Sequence, residues 1–207
     1  MSKRHICAGL LATALATPAA AQDVTLSWGA TLTSNYISRG FTQTENRWAF
    51  QPYAELGFGG GFYAGIWASN VRFEGDDDRV EIDLYGGYRF EVNGASFDLG
   101  YARYIYDRSG DCCGEFFGLV DIEAGSGGAF GGVYIDPEDD FRITDAHVGV
   151  RLTLMDPVTA SALVGRSGGQ NYGNIGVAYA VNDNWELDLR YHRGDVRRVV
   201  VSASVNF

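Results

Sequence analysis

Hydrophobic residues in this chain recur at every second position, not every third or fourth. Val24, Leu26, Trp28, Ala30 and Leu32 alternate with Thr25, Ser27, Gly29, Thr31 and Thr33. Trp48, Phe50, Pro52, Ala54, Leu56 and Phe58 alternate with Ala49, Gln51, Tyr53, Glu55 and Gly57. The same pattern returns around Ile66, around Leu84, from Phe97 to Ile105, from Ala146 to Leu154, from Trp185 to Tyr191, and at the end of the chain. There Val199, Val201, Ala203, Val205 and Phe207 share one face, and Arg198, Val200, Ser202, Ser204 and Asn206 share the other. A period of two is the signature of strands with one apolar and one polar face. Phe116 to Ala124 and Ala129 to Ile135 read as strands with a less regular pattern.

Turn signals divide these runs. Gly59-Gly60-Gly61, Asn93-Gly94, Gly125-Ser126-Gly127-Gly128, Met155-Asp156-Pro157 and Asn182-Asp183-Asn184 are short. They alternate with longer segments at 34–46, 74–79, 107–114, 136–140, 166–171 and 193–195. The count comes to about twelve strands, give or take two, so both ends of the chain fall on the short-turn side. A closed antiparallel transmembrane β-barrel is therefore expected over residues 22–207, an all-β fold with short periplasmic turns and longer extracellular loops. A soluble barrel or sandwich would place its apolar residues inside. Here glycines and charges gather on one face and aromatic and aliphatic residues on the other, which fits lipid outside and a polar interior. The last strand should pair with 185–192 on one side and 24–33 on the other, with Trp48 and Tyr191 near one membrane interface and Phe58, Trp185 and Phe207 near the other.

The N-terminus agrees with export. Lys3, Arg4 and His5 precede a short apolar run from Ile6 to Ala16, and Ala19-Ala20-Ala21 offers a cleavage site. Residues 1–21 read as a signal peptide, too short in its apolar run to span a bilayer. The chain holds 28 Gly, 12 Tyr and 12 Phe but only 4 Pro. Lys3 is its only lysine, so losing Lys3 and Arg4 leaves 14 of the 16 basic residues against 26 acids, a net charge of −12. Such a chain is a poor partner for nucleic acid. Its mean hydropathy of −0.10 suits strands that are half apolar and half polar.

Candidate chemistry sits first on the inward face. Glu55, Glu81, Asp83, Arg89, Asp98, Arg151, Glu186, Asp188, Arg190 and Arg198 should project into the lumen. Two readings remain open: a polar constriction that selects small solutes, or a plug of acid–arginine pairs filling a narrow barrel. Arg198 is placed to meet Glu186, Asp188 or a carboxylate of a loop, and Glu81 and Asp83 have Arg151 and Arg190 as conceivable partners. Asn35 and Gly40 suit tight turns just past the first strand, and Arg39 between them could fold back onto a lumenal carboxylate, as a latch over the mouth or as a ligand-contacting loop. Export places Cys112 and Cys113 in an oxidising space, where they form a loop disulfide or remain inert thiols. The acidic tips 76–78 and 138–140 lack calcium-loop spacing, and no metal or cofactor motif is present. His147 and His192 have no serine–acid framework, so catalysis is not expected.

The segment from about Thr33 to Tyr106 resembles the TorF family. The residues that carry the likeness are 33–44, Gln51-Pro52, 61–70, 81–88 and 97–101, together with the form of the last strand. That family consists of outer-membrane β-barrels with a porin label, formerly catalogued as conserved hypothetical. The resemblance implies an outer-membrane barrel and brings no substrate and no catalytic residues. The expectation is a bacterial outer-membrane porin for passive passage of small hydrophilic solutes. The alternatives are a non-conducting structural or surface-interaction barrel and, third, an outer-membrane enzyme. Expected partners are outer-membrane lipid and lipopolysaccharide, the barrel-assembly machinery reading Phe207, and small solutes.

Overall fold

Alternation of period two puts every second side chain on one surface, so a sheet built from such strands is stable only if its apolar surface meets lipid, helices or another sheet. In the computed structural model, which describes residues 24–207, the sheet closes on itself. The strands are β1 (Thr25–Thr33), β2 (Ile37–Ser38), β3 (Phe41–Thr42), β4 (Ala49–Gly57), β5 (Phe62–Asn70), β6 (Val80–Val92) and β7 (Ala95–Tyr106). They continue as β8 (Gly110–Ala124), β9 (Gly127–Asp136), β10 (Arg142–Met155), β11 (Val158–Ser167), β12 (Gln170–Ala180), β13 (Trp185–Arg193) and β14 (Arg197–Asn206). Twelve of them form a closed antiparallel barrel in which every neighbour is a chain neighbour except at the β1–β14 seam; β2 and β3 form a separate small hairpin. No helix is present among the described residues. The signal-peptide segment 1–21 lies outside them.

The seam joins Thr33 to Ser202 and Gly29 to Asn206. Inside the barrel, Thr31 Oγ1 lies 2.8 Å from Ser204 Oγ and Ser202 donates to Thr33 at 2.9 Å. Outside, Trp28 stacks on Phe207 with centroids 4.5 Å apart, and the two backbones exchange hydrogen bonds of 2.9 and 3.1 Å. β14 pairs with β13 along its other edge, Leu189 opposite Val201.

The outer surface is apolar and bare. Trp48, Leu99, Val148, Val150, Leu189 and Val201 are each at least half exposed. A patch of that extent encircling the molecule is a surface for lipid. On the inner surface, glycines make room for rings of the adjacent strand. A Cβ on Gly149 would come within 2.3 Å of Phe130 Cζ, and one on Gly165 within 2.5 Å of Tyr172 Cζ. The rings therefore lie against the wall and the lumen keeps its width.

At one end the turns are short: 58–61, 93–94, 125–126, 156–157 and 181–184. Asn93 (φ 52°) and Gly94 (φ 80°) make the tight turn that matches strand twist. At the other end only 34–48 and 71–79 are long, because the strands there run further than alternation indicates. This corrects one expectation. Cys112 and Cys113 are bonded to each other within β8, not in a loop. The register between β7 and β8 skips Cys112, so the disulfide coincides with a β-bulge. Above it Asp111 opposes Ile105 on the outer surface, and below it Glu115 opposes Ala102 on the inner one. A second bulge in β10 lies between Ile143 and Asp145 and turns both Thr144 and Asp145 inward.

Candidate functional site: a two-storey lumen under a latch

The segment 34–48 folds into the mouth of the barrel. Asn35, 5% exposed, is its knot: its Oδ1 receives the hydroxyls of Thr42 (2.7 Å) and Thr44 (3.1 Å), and its Nδ2 donates to Asn46 Oδ1 (3.2 Å). The hairpin β2–β3 projects from this knot. Its two-residue turn is Arg39 (φ 49°) and Gly40 (φ 88°), both left-handed, which is the hairpin geometry that suits strand twist. Gly40 is packed so closely against Tyr172 and Gly194 that a Cβ would lie 2.6 Å from Tyr172 Cβ. Only glycine fits there on both counts. At the mouth's edge Arg72 Nε donates to Glu45 (2.6 Å) and Arg198 Nε to Asn46 Oδ1 (3.1 Å). Arg198 thus meets a loop amide and not Glu186, Asp188 or a loop carboxylate.

From the hairpin tip, Arg39 crosses to the far wall. Its Nη1 and Nη2 donate to Glu115 Oε1 (2.9 Å) and Oε2 (2.7 Å), a bidentate pair, and its guanidinium lies 4.4 Å from the Tyr134 ring centroid. Glu115 also accepts from Tyr104 (2.8 Å) and from Thr144. Beside it, buried Asp145 accepts from Tyr172 (2.8 Å) and lies 2.8 Å from His147 Nδ1. Glu115 and Asp145 were not among the residues expected to line the lumen. Both are in phase with inward residues of their own strands, Glu115 with Asp121 and Glu123, Asp145 with His147 and Arg151, but they lie one residue before Phe116 and Ala146, where the alternation suggested those strands begin. Two strands further along the same wall, on β6, Glu81 accepts from Tyr106 (2.9 Å), and neither Glu81 nor Asp83 meets Arg151 or Arg190.

The lower storey is built from paired charges. Arg89 donates twice to Glu55 (2.5 and 2.9 Å) and once to Asp98 (3.1 Å), and its guanidinium covers the Tyr63 ring at 3.6 Å. Arg151 makes two 2.6 Å bonds to Asp121 and a further one to Glu123. Arg190 bonds Asp188, Asn174 and Ser161. Glu186 is exposed at the short-turn end. Between these groups a cavity of about 570 Å³ is bounded by Arg89, Asp98, Leu119, Asp121, Phe130 and His147. On the outer surface near the long-loop end, Arg103 pairs with Asp111 (2.6 and 2.8 Å) and Glu138. Arg103 lies on the lipid side of the alternation, and nothing in the pattern marked it.

Where the long loops meet, Asp78 is buried and accepts from Arg108 N (2.8 Å), Ser109 N (3.0 Å) and Ser109 Oγ (2.5 Å). The Ser109 hydroxyl, helped by the two amides, holds its carboxyl below the ordinary aspartate range against the opposing effect of burial. Among the described residues no group of three or more His, Cys, Asp or Glu could hold a metal ion.

With a closed barrel and a polar lumen established, sequence comparison gives the lineage. The model of a bacterial protein family of unknown function, Gcw_chp, matches residues 16–204. The chain belongs to the Gcw_chp family. That match does not carry the TorF name, so the TorF likeness rests on its motif residues alone. No curated protein sequence matches this Gcw_chp member significantly. Among solved structures, the KdgM porin superposes with a TM-score of 0.61 at 8% identity, covering 88% of this chain and 97% of the porin. The KdgM porin in complex with disordered oligogalacturonate gives 0.60 at 7% identity, with the same coverage. At such identities the likeness shows the fold, which is that of outer-membrane porin barrels.

Proposed function

We propose that this barrel sits in a bacterial outer membrane and passes small hydrophilic solutes, cations in preference to anions, through a lumen narrowed by the 34–48 latch. The short-turn end faces the periplasm, the latch faces outward, and Phe207 is the residue offered to the assembly machinery. The observation that carries this reading is uncompensated acid along the lumen. Each of Arg39, Arg89, Arg151 and Arg190 is bonded to one or two carboxylates, while Glu81, Asp83, Asp145 and Glu186 have no arginine. A low-dielectric wall focuses that excess onto the solute path. A polyanion such as oligogalacturonate would be repelled there, so the ligand of the structural neighbour is not carried over.

The test is reconstitution in planar bilayers under a tenfold KCl gradient. The expected result is discrete conductance steps with a reversal potential of cation-selective sign. Anion-selective reversal would overturn the charge argument. Absence of any steps would favour the second reading, a non-conducting surface barrel, for which the Arg39–Glu115 bond across the mouth is the supporting observation.

A further inference from the structure

Glu81 and Asp83 stand two residues apart on the inner face of β6, just beneath the latch. Glu81 is 5% exposed. Its Oε1 is held by Tyr106, but its Oε2 is buried with no partner, and so is Asp83 Oδ1. The flanking strands offer no positive charge: Ser69 and Trp67 stand opposite on β5, Tyr106 and Tyr104 on β7. Tyr36 of the latch stands edge-on to Trp67, centroids 5.5 Å apart, and closes the roof. Arg39 of the latch is held by both oxygens of Glu115.

Two neighbouring carboxylates, each with a buried and unsatisfied oxygen, are strongly unfavourable as a pair of like charges unless something positive sits between them. We propose that this pair is a binding site for one partly dehydrated monovalent cation of alkali-metal size, held by Glu81 Oε2 and Asp83 Oδ1 with phenol oxygens nearby. The choice of class follows from the donor count. Calcium takes six to eight oxygens, and no third carboxylate, histidine or thiol completes a metal-holding set here. The shell of a monovalent ion can be completed by neutral oxygens, here phenols and water, and its single charge suits a site with no third acid. The inference rests on the reading of the lumen as a cation path, but the site does not require that the latch open or that current flow.

The test therefore uses the full refolded barrel in detergent at pH 8, with no conduction involved. Its melting midpoint is compared in NaCl and in choline chloride at equal ionic strength. Sodium is expected to raise the wild-type midpoint relative to choline by on the order of 3 °C between 10 and 200 mM. Glu81→Gln/Asp83→Asn should lose that response. If the double variant does not refold, Asp83→Asn alone serves the same purpose. A wild-type midpoint indifferent to sodium overturns the site. One that follows pH but not sodium assigns the compensating charge to a proton and overturns it too. A response retained in the variants would place the ion elsewhere. If sodium binds as expected while bilayers show no steps, the porin reading fails and the site stands.

Discussion

Replacing Arg39 with alanine should unfasten the latch while leaving the barrel intact. The two guanidinium bonds, at 2.9 and 2.7 Å, tie a side chain that is 24% exposed to a carboxylate that is 9% exposed. Losing one partner of such a buried pair costs about 3–5 kcal/mol, and Tyr104 and Thr144 still hold Glu115, which favours the low end. The other side-chain ties at the mouth, Arg72–Glu45 and Arg198–Asn46, are partly exposed and contribute at most about 1 kcal/mol each, and the backbone bonds from Arg72 N to Gln43 O (2.8 Å) and from Val196 N to Gly40 O (3.3 Å) remain in the variant. The Asn35 knot is internal to the latch and does not fasten it to the wall. A loss of about 3 kcal/mol lowers the ratio of docked to undocked latch by roughly a hundredfold. Single-channel recording is the assay. Arg39→Ala should show larger or longer-lived open steps than wild type, and Glu115→Gln should move the same way to a smaller extent. The melting midpoint should change little, since no barrel strand loses a ladder bond. If Arg39→Ala conducts as wild type does, or melts far earlier, the segment is part of the wall and not a latch.

Two other expectations follow from the same geometry. Gly149→Leu should drive a branched side chain into the Phe130 ring and destabilise the barrel by about 1–3 kcal/mol, read as a lower urea midpoint; an unchanged midpoint would show that the ring is free to move. Because the folded carboxyl of Asp78 titrates below its ordinary value of 3.8, its contribution is complete above that value and is lost as pH falls through the folded value. Proteolysis of the 71–79 and 107–109 loops should therefore accelerate below about pH 4 in wild type, whereas Asp78→Asn should be cleaved readily even at neutral pH and show no such step.

Most of the barrel was legible because its physics is local. Alternation, short turns and parity each depend on residues a few positions apart, and they placed β1, β4 to β10, β13 and β14, as well as the end at which the short turns gather. The inward direction of Glu55, Arg89, Asp98, Arg151 and Arg190 follows from the same parity. Their partners do not, because pairing across the lumen depends on register and on the barrel's width. Arg151 bonds Asp121 and Glu123, two strands away on β8, and counting along β10 cannot reveal that. The bulges at Cys112 and Thr144 were invisible for a related reason. One extra residue reverses a face without altering composition, and it turned Thr144 inward unannounced, whereas Glu115 and Asp145 were missed because their strands extend one residue beyond the visible alternation. Arg39 was placed by its turn chemistry, with Gly40 beside it, but its landing point on Glu115 depends on how far the hairpin reaches across the mouth, which no local pattern gives.

The seam between β1 and β14 has a consequence for how the chain reaches this state. Every other barrel pairing joins chain neighbours, whereas Thr31 meets Ser204 across a separation of 173 residues. Loop-closure entropy grows with the logarithm of that separation, so joining the ends of an otherwise complete sheet costs about 2 kcal/mol more than forming a hairpin of some twenty residues. Contacts so distant in the chain form late. The hydroxyl ladder Thr31–Ser204 and Thr33–Ser202 and the Trp28–Phe207 stack are concentrated at the one joint that needs extra favourable energy. Until that joint shuts, β1 and β14 are open edges, and the time spent in that state sets how long this molecule is exposed to aggregation.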